Sequence, residues 1–430
     1  MRVLHVIQRY WPFPGGSEGY FQELSEALVA RGHAVTVFTT DAWDLEYFWA
    51  AGKRRVTRPA GETYNGVRIR RFPVRRPPLP PIYFRILRRL MADTSDLGGR
   101  LKVDTGPLLR IGGRCSPWVP AMQAALRAIP PGTYDVVHTT NITLEAPILG
   151  AAAYARRAGV PMLLTPFVHL GEAGDRRIVR YYTMRHQVAL LRQATRVIVQ
   201  TGLEATVLRE HGVATERLVH AAVGVHPDQV LGGDGSRFRR RHGLAADTPL
   251  VLFVGALAAD KGALTLLEAS RRLWAAGVDM RLVLIGATAL ADFQSAFTRL
   301  PVDEQARVLL LGFVDDAGKR DAFAACTVFA MPSRTDTFGI VYLEAWLYGK
   351  PVIGARAGGV PDVIAGGTDG YLVRFGDAAA VADHIAALIA DPVLAARLGE
   401  AGRAKVMREH TWADKLDRLV AVYEDVTAHG

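Results

Sequence analysis

Asp336 and Glu344 are joined by Thr-Phe-Gly-Ile-Val-Tyr-Leu, inside Pro332-Ser-Arg-Thr-Asp-Thr-Phe-Gly-Ile-Val-Tyr-Leu-Glu-Ala-Trp-Leu-Tyr-Gly-Lys-Pro-Val-Ile-Gly. An apolar run ends at Met331, a loop carries Asp336, and a helical pattern opens near Phe338-Gly339. The unpaired N–H groups of a helix start can hold an anion such as a diphosphate. Glu344 lies about five residues into that helix, roughly 7 Å along its axis, so a carboxylate there can grip a ribose diol while the helix end holds phosphates. Taken alone, Glu344 reads equally well as a partly buried acid paired with an arginine. A second segment, Val254-Gly-Ala-Leu-Ala-Ala-Asp-Lys-Gly-Ala, places Lys261 just after another apolar run. Ligands of open α/β sheets sit at the carboxyl ends of strands, where a lysine can neutralise a phosphate. In isolation it is a solvated loop lysine. Third comes Pro14-Gly-Gly-Ser-Glu, whose Gly15 and Gly16 let a backbone approach a ligand closely and whose Ser17 can cap a helix. An ordinary strand-to-helix turn looks the same.

These segments need strands to carry them. Arg2–Ile7, Ala34–Thr39, Tyr134–His138, Pro161–Thr165 and Arg196–Gln200 are short runs rich in Val, Ile and Leu, as buried parallel strands are. Ser17–Arg31 between the first two carries Phe21, Leu24, Leu28 and Val29 on one helical face and stops at Gly32. Strand, helix, strand makes a βαβ unit and hence a parallel sheet. Leu250–Val254, Met280–Ile285, Val308–Leu311, Val328–Met331 and Pro351–Gly354 repeat the style, with helices expected around Leu264–Leu273 and over Phe338–Tyr348. The expectation is two α/β domains in tandem, 1–224 and 225–407, with a seam near Ala222–Ser236 where Gly, Pro and Asp cluster. A last helix, 408–430, is expected to return to the first domain. Residues 54–118 break the alternation with five prolines between Pro73 and Pro81, then Gly98, Gly99, Gly106, Gly112 and Gly113. They are expected to be an irregular insertion around one short helix, Ile82–Met91.

With 430 residues the chain exceeds one compact domain, and 50% hydrophobic with 22% charged residues excludes disordered and fibrous classes. No run of 18 apolar residues marks a membrane span, and the start is too soon polar for a signal peptide. Cys115 and Cys326 are the only cysteines and nothing requires them to pair, which fits a reducing cytoplasm. The formal charge of +10 is concentrated in residues 53–114, where 16 Lys+Arg face 4 Asp+Glu. An anionic partner follows: nucleic acid, an acidic membrane or a phosphate-bearing substrate. Neither zinc-finger spacing nor an aromatic-basic RNA motif accompanies the charge, so no nucleic-acid partner is expected. Ile82-Tyr-Phe-Arg-Ile-Leu-Arg-Arg-Leu-Met places Arg85, Arg88 and Arg89 on one side of a helix, with Phe84, Ile86, Leu87, Leu90 and Met91 around the rest. Such a segment can lie on an anionic membrane surface, or pack into a core with a solvated basic edge.

Together the motifs resemble the retaining, nucleotide-sugar-dependent glycosyltransferases of two-Rossmann-domain (GT-B) architecture, often called family 4. The resemblance runs from Pro14-Gly-Gly-Ser-Glu and Arg31-Gly-His-Ala-Val-Thr-Val through Tyr134-Asp-Val-Val-His to Trp412. It is most specific at Asp336-x7-Glu344, similar to the family's acid-x7-Glu motif, followed by Gly349-Lys-Pro-Val-Ile and Gly358-Gly-Val-Pro-Asp. It implies two Rossmann-like domains facing each other across a cleft. It further implies that Glu344 binds the donor's ribose and that Asp336, in place of the commoner Glu, bonds hydroxyls of the transferred sugar. Lys261 and the N–H groups around Phe338, Gly339, Ile340 and Val341 would hold the diphosphate. Gly16, beside Gly15, would approach the donor from the opposite domain. His169, in Thr165-Pro-Phe-Val-His-Leu, matches a histidine that lines the sugar site in relatives, although a structural histidine reads the same.

One position departs from the family. Relatives carry Gly-Arg-Leu where this chain has Gly255-Ala256-Leu257, so a phosphate-binding arginine is missing and Arg334 is the candidate replacement. No Asp-x-Asp and no His/Cys cluster is present, so transfer is expected to need no metal and no cofactor beyond the nucleotide-sugar donor. No covalent nucleophile stands out, and front-face substitution is expected, with the departing phosphate taking the acceptor's proton. The implied activity is a hexosyltransferase-type (EC 2.4) reaction onto a glycan or lipid-linked acceptor, in cell-envelope or exopolysaccharide synthesis. The expected location is cytoplasmic, peripheral on the inner membrane face. The alternatives are a nucleotide-sugar epimerase of the same fold and a catalytically weakened nucleotide-binding homologue.

Overall fold

The computed structural model describes residues 1–13, 15–286 and 291–428. Pro14 of the glycine-pair segment lies outside them. The chain forms two compact units: Met1–Val168, Arg176–Ala222 and the stretch from Leu416 onward make the first, and His169–Asp175 with Val223–Lys415 the second.

The first unit is built on eight strands: β1 (Arg2–Val6), β2 (Ala34–Thr40), β3 (Gly61–Tyr64), β4 (Val67–Phe72), β5 (Val136–Thr140), β6 (Met162–Thr165), β7 (Arg196–Val199) and β8 (Leu218–His220). Their order is β3-β4-β2-β1-β5-β6-β7-β8, parallel throughout except where β3 meets β4. Val3, Leu4, Val6, Val136 and Val137 are fully buried, the condition under which a parallel strand loses its polar alternation. The helix Gly16–Ala30 buries Tyr20, Phe21, Leu24 and Leu28 against this sheet.

Residues 54–118 hold two strands and two helices joined by irregular stretches, in place of the one short helix expected. β3 and β4 form a hairpin around Asn65-Gly66, both at positive φ, the turn whose twist matches paired strands. Ile82–Leu101 is one continuous helix, longer than the expected Ile82–Met91, and Gly106–Gly113 is another. Gly98 and Gly112 lie inside helices at close approaches: a Cβ on Gly112 would lie 2.9 Å from the Met91 sulfur, where the two helices meet. The basic side also divides. Arg85 and Arg89 are exposed, whereas Arg88 is buried, ion-paired with Glu145 and donating to the Tyr181 carbonyl at 3.0 Å.

The second unit carries β9 (Leu250–Val254), β10 (Arg281–Ile285), β11 (Val308–Gly312), β12 (Val328–Met331), β13 (Val352–Ala355) and β14 (Gly370–Val373), in the order β11-β10-β9-β12-β13-β14, all parallel. The chain leaves β9 toward β10 and β11, then returns to place β12 on the other side of β9, with Val251 paired to Val328. That reversal opens a crevice above the carboxyl ends of β9 and β12, the usual ligand position in such sheets. His169–Asp175, assigned to the first domain from sequence, packs with this unit: Gly358 donates its N–H to the Gly171 carbonyl at 2.7 Å.

Candidate active site

The loops after β9 and β12 are the two walls of the crevice, and backbone bonds tie them together. Arg334 N–H donates to the Asp260 carbonyl at 2.9 Å, and the Thr335 hydroxyl donates to the Asp260 carboxylate at 2.9 Å. Gly262 makes the approach possible: it sits at φ +81°, and a Cβ there would fall 2.3 Å from the Pro332 carbonyl oxygen. The bracing points Lys261 and Asp336 at each other, with Nζ donating to Oδ1 at 3.1 Å.

His169 completes this cluster. Burial pushes its imidazole down to about 4, Lys261 adds to that, and Asp336 and Asp260 oppose it, so the ring is neutral near pH 7. Burial alone would raise the Asp336 carboxyl, but Lys261, Ser333 and His169 outweigh it and hold it below its ordinary value. Asp336 is therefore an ionised acceptor, and its Oδ2 is buried with no hydrogen-bond partner among the described residues.

Four residues beyond Asp336 the helix Ile340–Leu347 begins, two residues later than Phe338. Phe338 is buried, with its ring against His410. Gly339 occupies the N-cap in the left-handed region and no side chain caps the turn. The N–H groups of Ile340 and Val341 thus open the helix without an intrahelical acceptor, at its positive dipole end. Further along, Glu344 is 7% exposed. Its Oε1 accepts from Lys319 Nζ at 2.8 Å, and its Oε2 is buried without a partner among the described residues. The partner is a lysine from the helix Asp316–Ala325, not an arginine.

Arg334 lies in the same loop as Asp336, its guanidinium 4.9 Å from the Phe375 ring and 3.8 Å from Glu172 Oε2. Neither Arg334 Nε nor Glu172 Oε2 has a hydrogen-bond partner among the described residues. Ala256 is exposed in the facing loop. Lys261, Asp336 and His169 are thus in one cluster, with Arg334 in the same loop as Asp336 and with Ile340 and Glu344 on the helix that follows. Gly15 and Gly16 belong to the first unit, at the start of Gly16–Ala30. A Cβ on Gly15 would fall 2.1 Å from Glu18 Oε2 and 2.6 Å from the Phe13 ring, whereas Gly16 has open space around it. Sequence reasoning missed Lys319, Asp260 and Glu172. Lys319 had a signal, since only 7 of the 52 basic residues are lysines and two of those seven are in this site.

Such an arrangement offers a cation and free amides for phosphate, an ionised carboxylate and neutral imidazole for hydroxyls, and a second carboxylate one helical turn away. Clustered unpartnered buried polar atoms mark places where a ligand completes the bonding.

Comparison with known proteins is consistent across the chain. Residues 15–224 match the "Glycosyl transferase 4-like domain" family and residues 234–405 match "Glycosyl transferases group 1". The chain is 31% identical over 373 residues to a D-inositol 3-phosphate glycosyltransferase of Catenulispora acidiphila, covering 82% of this chain and 85% of that one. It is 29% identical over 59% of its length, and 71% of the other, to a GDP-mannose-dependent phosphatidylinositol monomannoside mannosyltransferase of Corynebacterium glutamicum. Among solved structures, Anabaena HepE in complex with UDP superposes at a TM-score of 0.71 with 19% identity, covering 99% of this chain and 100% of that one. Sucrose-phosphate synthase from Thermosynechococcus elongatus does so at 0.73 with 22% identity over the whole of both chains.

Proposed function

Because the chain belongs to the group 1 glycosyltransferases, with GT-B folded neighbours, we propose that it is a retaining, metal-independent enzyme that moves a sugar from a nucleoside-diphosphate donor to a glycan or lipid-linked acceptor. The observation that carries this reading is the Lys261–Asp336 pair at the strand-order reversal, beside an uncapped helix start. Lys261 and the N–H groups of Ile340 and Val341 take the diphosphate. Glu344, through its unpartnered Oε2, takes the ribose. Asp336 and His169 accept and donate to hydroxyls of the transferred sugar.

In the reaction the bond from the anomeric carbon to the phosphate oxygen breaks, and its electron pair stays on the phosphate. The acceptor oxygen attacks the same face of the carbon, and its proton passes to the departing phosphate. Charge builds on the leaving group, where Lys261 and the helix dipole oppose it. The names of relatives that use GDP-mannose, or were crystallised with UDP, support a nucleotide-sugar donor and leave both bases to be tried. Envelope glycan or glycolipid synthesis fits such donors and acceptors.

The test is nucleoside-diphosphate release from UDP- and GDP-sugars, with wild type and Lys261→Met, and anomeric configuration of product read by NMR. Lys261→Met is expected to lower turnover by about 10²–10³-fold, as loss of one donor to developing charge does. Turnover unchanged in that variant, or an inverted product, contradicts the reading. Ala256 favours one second reading, a homologue that binds nucleotide yet transfers little. It would bind nucleoside diphosphate and release none from any donor.

A further inference from the structure

Ten of the sixteen large apolar side chains exposed among the described residues fall between residues 79 and 118. On the helix Ile82–Leu101, Ile82, Ile86, Leu90, Leu97 and Leu101 are each 51–64% exposed, and their spacing puts them on one face. Leu108 and Ile111, both 62% exposed, stand on the adjoining helix Gly106–Gly113. The other side of this pair is already used: Met91, Ala92, Leu109 and Met184 form a buried cluster, and Arg88 is held by Glu145. The long helix therefore has two apolar faces, and only one packs inside its unit.

Cations surround the free face. Arg85, Arg100, Lys102 and Arg114 are exposed and make no ion pair among the described residues, while Arg89 reaches only Asp93, at 4.0 Å. The helix's own acids, Asp93 and Asp96, are ion-paired with Arg180 at 2.5 and 2.9 Å, and Asp93 falls within the apolar face by its spacing from Leu90 and Leu97. Exposed apolar side chains gathered on one face, as opposed to scattered singly, mark an interaction surface. A second copy of the chain would bring the same uncompensated cations against each other across a two-fold axis. A polyanion such as RNA would leave the leucines in water. An anionic bilayer satisfies both features at once.

We propose that this face docks the protein on a membrane surface rich in anionic lipid, the Leu and Ile side chains entering the headgroup boundary while the arginines and Lys102 meet lipid phosphate. The inference is independent of the sugar-transfer reading, because a variant inactive in transfer would still bind.

Flotation of the full chain with vesicles decides the matter. Vesicles of phosphatidylcholine mixed with phosphatidylglycerol are expected to carry the protein, and phosphatidylcholine alone to carry at least about tenfold less. Ile86→Ser/Leu90→Ser/Ile111→Ser is expected to lower partitioning about tenfold or more, with an unchanged thermal midpoint because these side chains are already exposed. Arg85→Gln/Arg89→Gln/Arg100→Gln provides an independent variant and is expected to abolish the preference for phosphatidylglycerol. Absence of wild-type binding to either vesicle would overturn the proposal, as would undiminished binding by the serine variant. A wild-type dimer in light scattering that the serine substitutions convert to monomer, with no flotation, would assign the face to a second copy instead.

Discussion

Glu344 is buried in surroundings unlike those of a structural acid. A buried carboxylate normally has both oxygens bonded, yet one of its oxygens has no partner among the described residues and the other takes a single lysine. Glu344→Ala is expected to weaken nucleoside-diphosphate binding by about 10–100-fold, the worth of charge-assisted bonds to a diol. Calorimetric titration measures it, and affinity within twofold of wild type contradicts the assignment. Lys319, 31% exposed, can then turn to solvent, so the fold should survive. The missing arginine gives a second test. Ala256→Arg is expected to raise diphosphate affinity about tenfold, and Arg334→Ala to lower it by a similar factor. If Arg334 substitutes for the absent side chain, its removal costs much less in the Ala256→Arg background. Strictly additive effects in that cycle would mean the two positions serve different ends. Asp336 and Lys261 were legible from sequence because each follows an apolar strand run. Glu172 was not, because it reaches the site by loop packing that no local pattern encodes, and Asp260, although next to Lys261, serves through bonds to Arg334 and Thr335 that sequence does not reveal.

At the level of elements, the stretch from Leu416 onward enters the first unit through one buried polar chain. The Ser25 hydroxyl donates to the Phe21 carbonyl, so it accepts from His5 Nδ1–H at 2.8 Å. His5 Nε2 is then an acceptor and takes the Tyr423 hydroxyl proton at 2.9 Å. His138 Nδ1–H donates to the Tyr423 oxygen, and its Nε2 accepts from the Thr165 hydroxyl at 2.8 Å. Every group is satisfied only while both rings are neutral. Tyr423→Phe strands two buried ring nitrogens and is expected to cost about 2–4 kcal/mol, read as a lower thermal midpoint. A midpoint within a degree of wild type would remove the network from the stability account. The same rings set a pH dependence. Burial pushes His5 down to about 3 from an ordinary value of 6.5, and moves His138 down as well. Below pH 6.5 the unfolded chain takes up protons that the folded chain refuses, so stability is complete above that value and falls as pH drops toward 3. A midpoint as high at about pH 4.5 as at about pH 7.5 contradicts this. The strands of both sheets were legible because buried parallel strands read as unbroken apolar runs. Asn65-Gly66 between alternating residues was an equally good hairpin signal, obscured by the prolines that follow it. Glycines inside Ile82–Leu101 looked like loop residues because sequence does not reveal which backbones touch.

For the molecule as a whole, the charge and the chemistry lie in different places. The second unit holds the cation, carboxylates and helix start of the candidate site, while the surplus of basic residues and the exposed apolar strip belong to the first. Each unit has its own parallel sheet and buried core, so ligand binding to one need not be felt equally by both. Nucleoside diphosphate at about a hundred times its Kd is expected to stabilise the second unit by about 2.7 kcal/mol. Hydrogen exchange resolved along the chain reads this, with protection expected over Leu250–Met331 and the helix after it. Protection confined to the first unit would contradict the assignment. The most direct measurement is a crystal structure with nucleoside diphosphate bound. The account expects phosphate oxygens within hydrogen-bond reach of Lys261 Nζ and of the Ile340 and Val341 amides, with the ribose diol on Glu344. A nucleotide bound elsewhere, with Lys261 still closed on Asp336 and Glu344 Oε2 still without a partner, would contradict it.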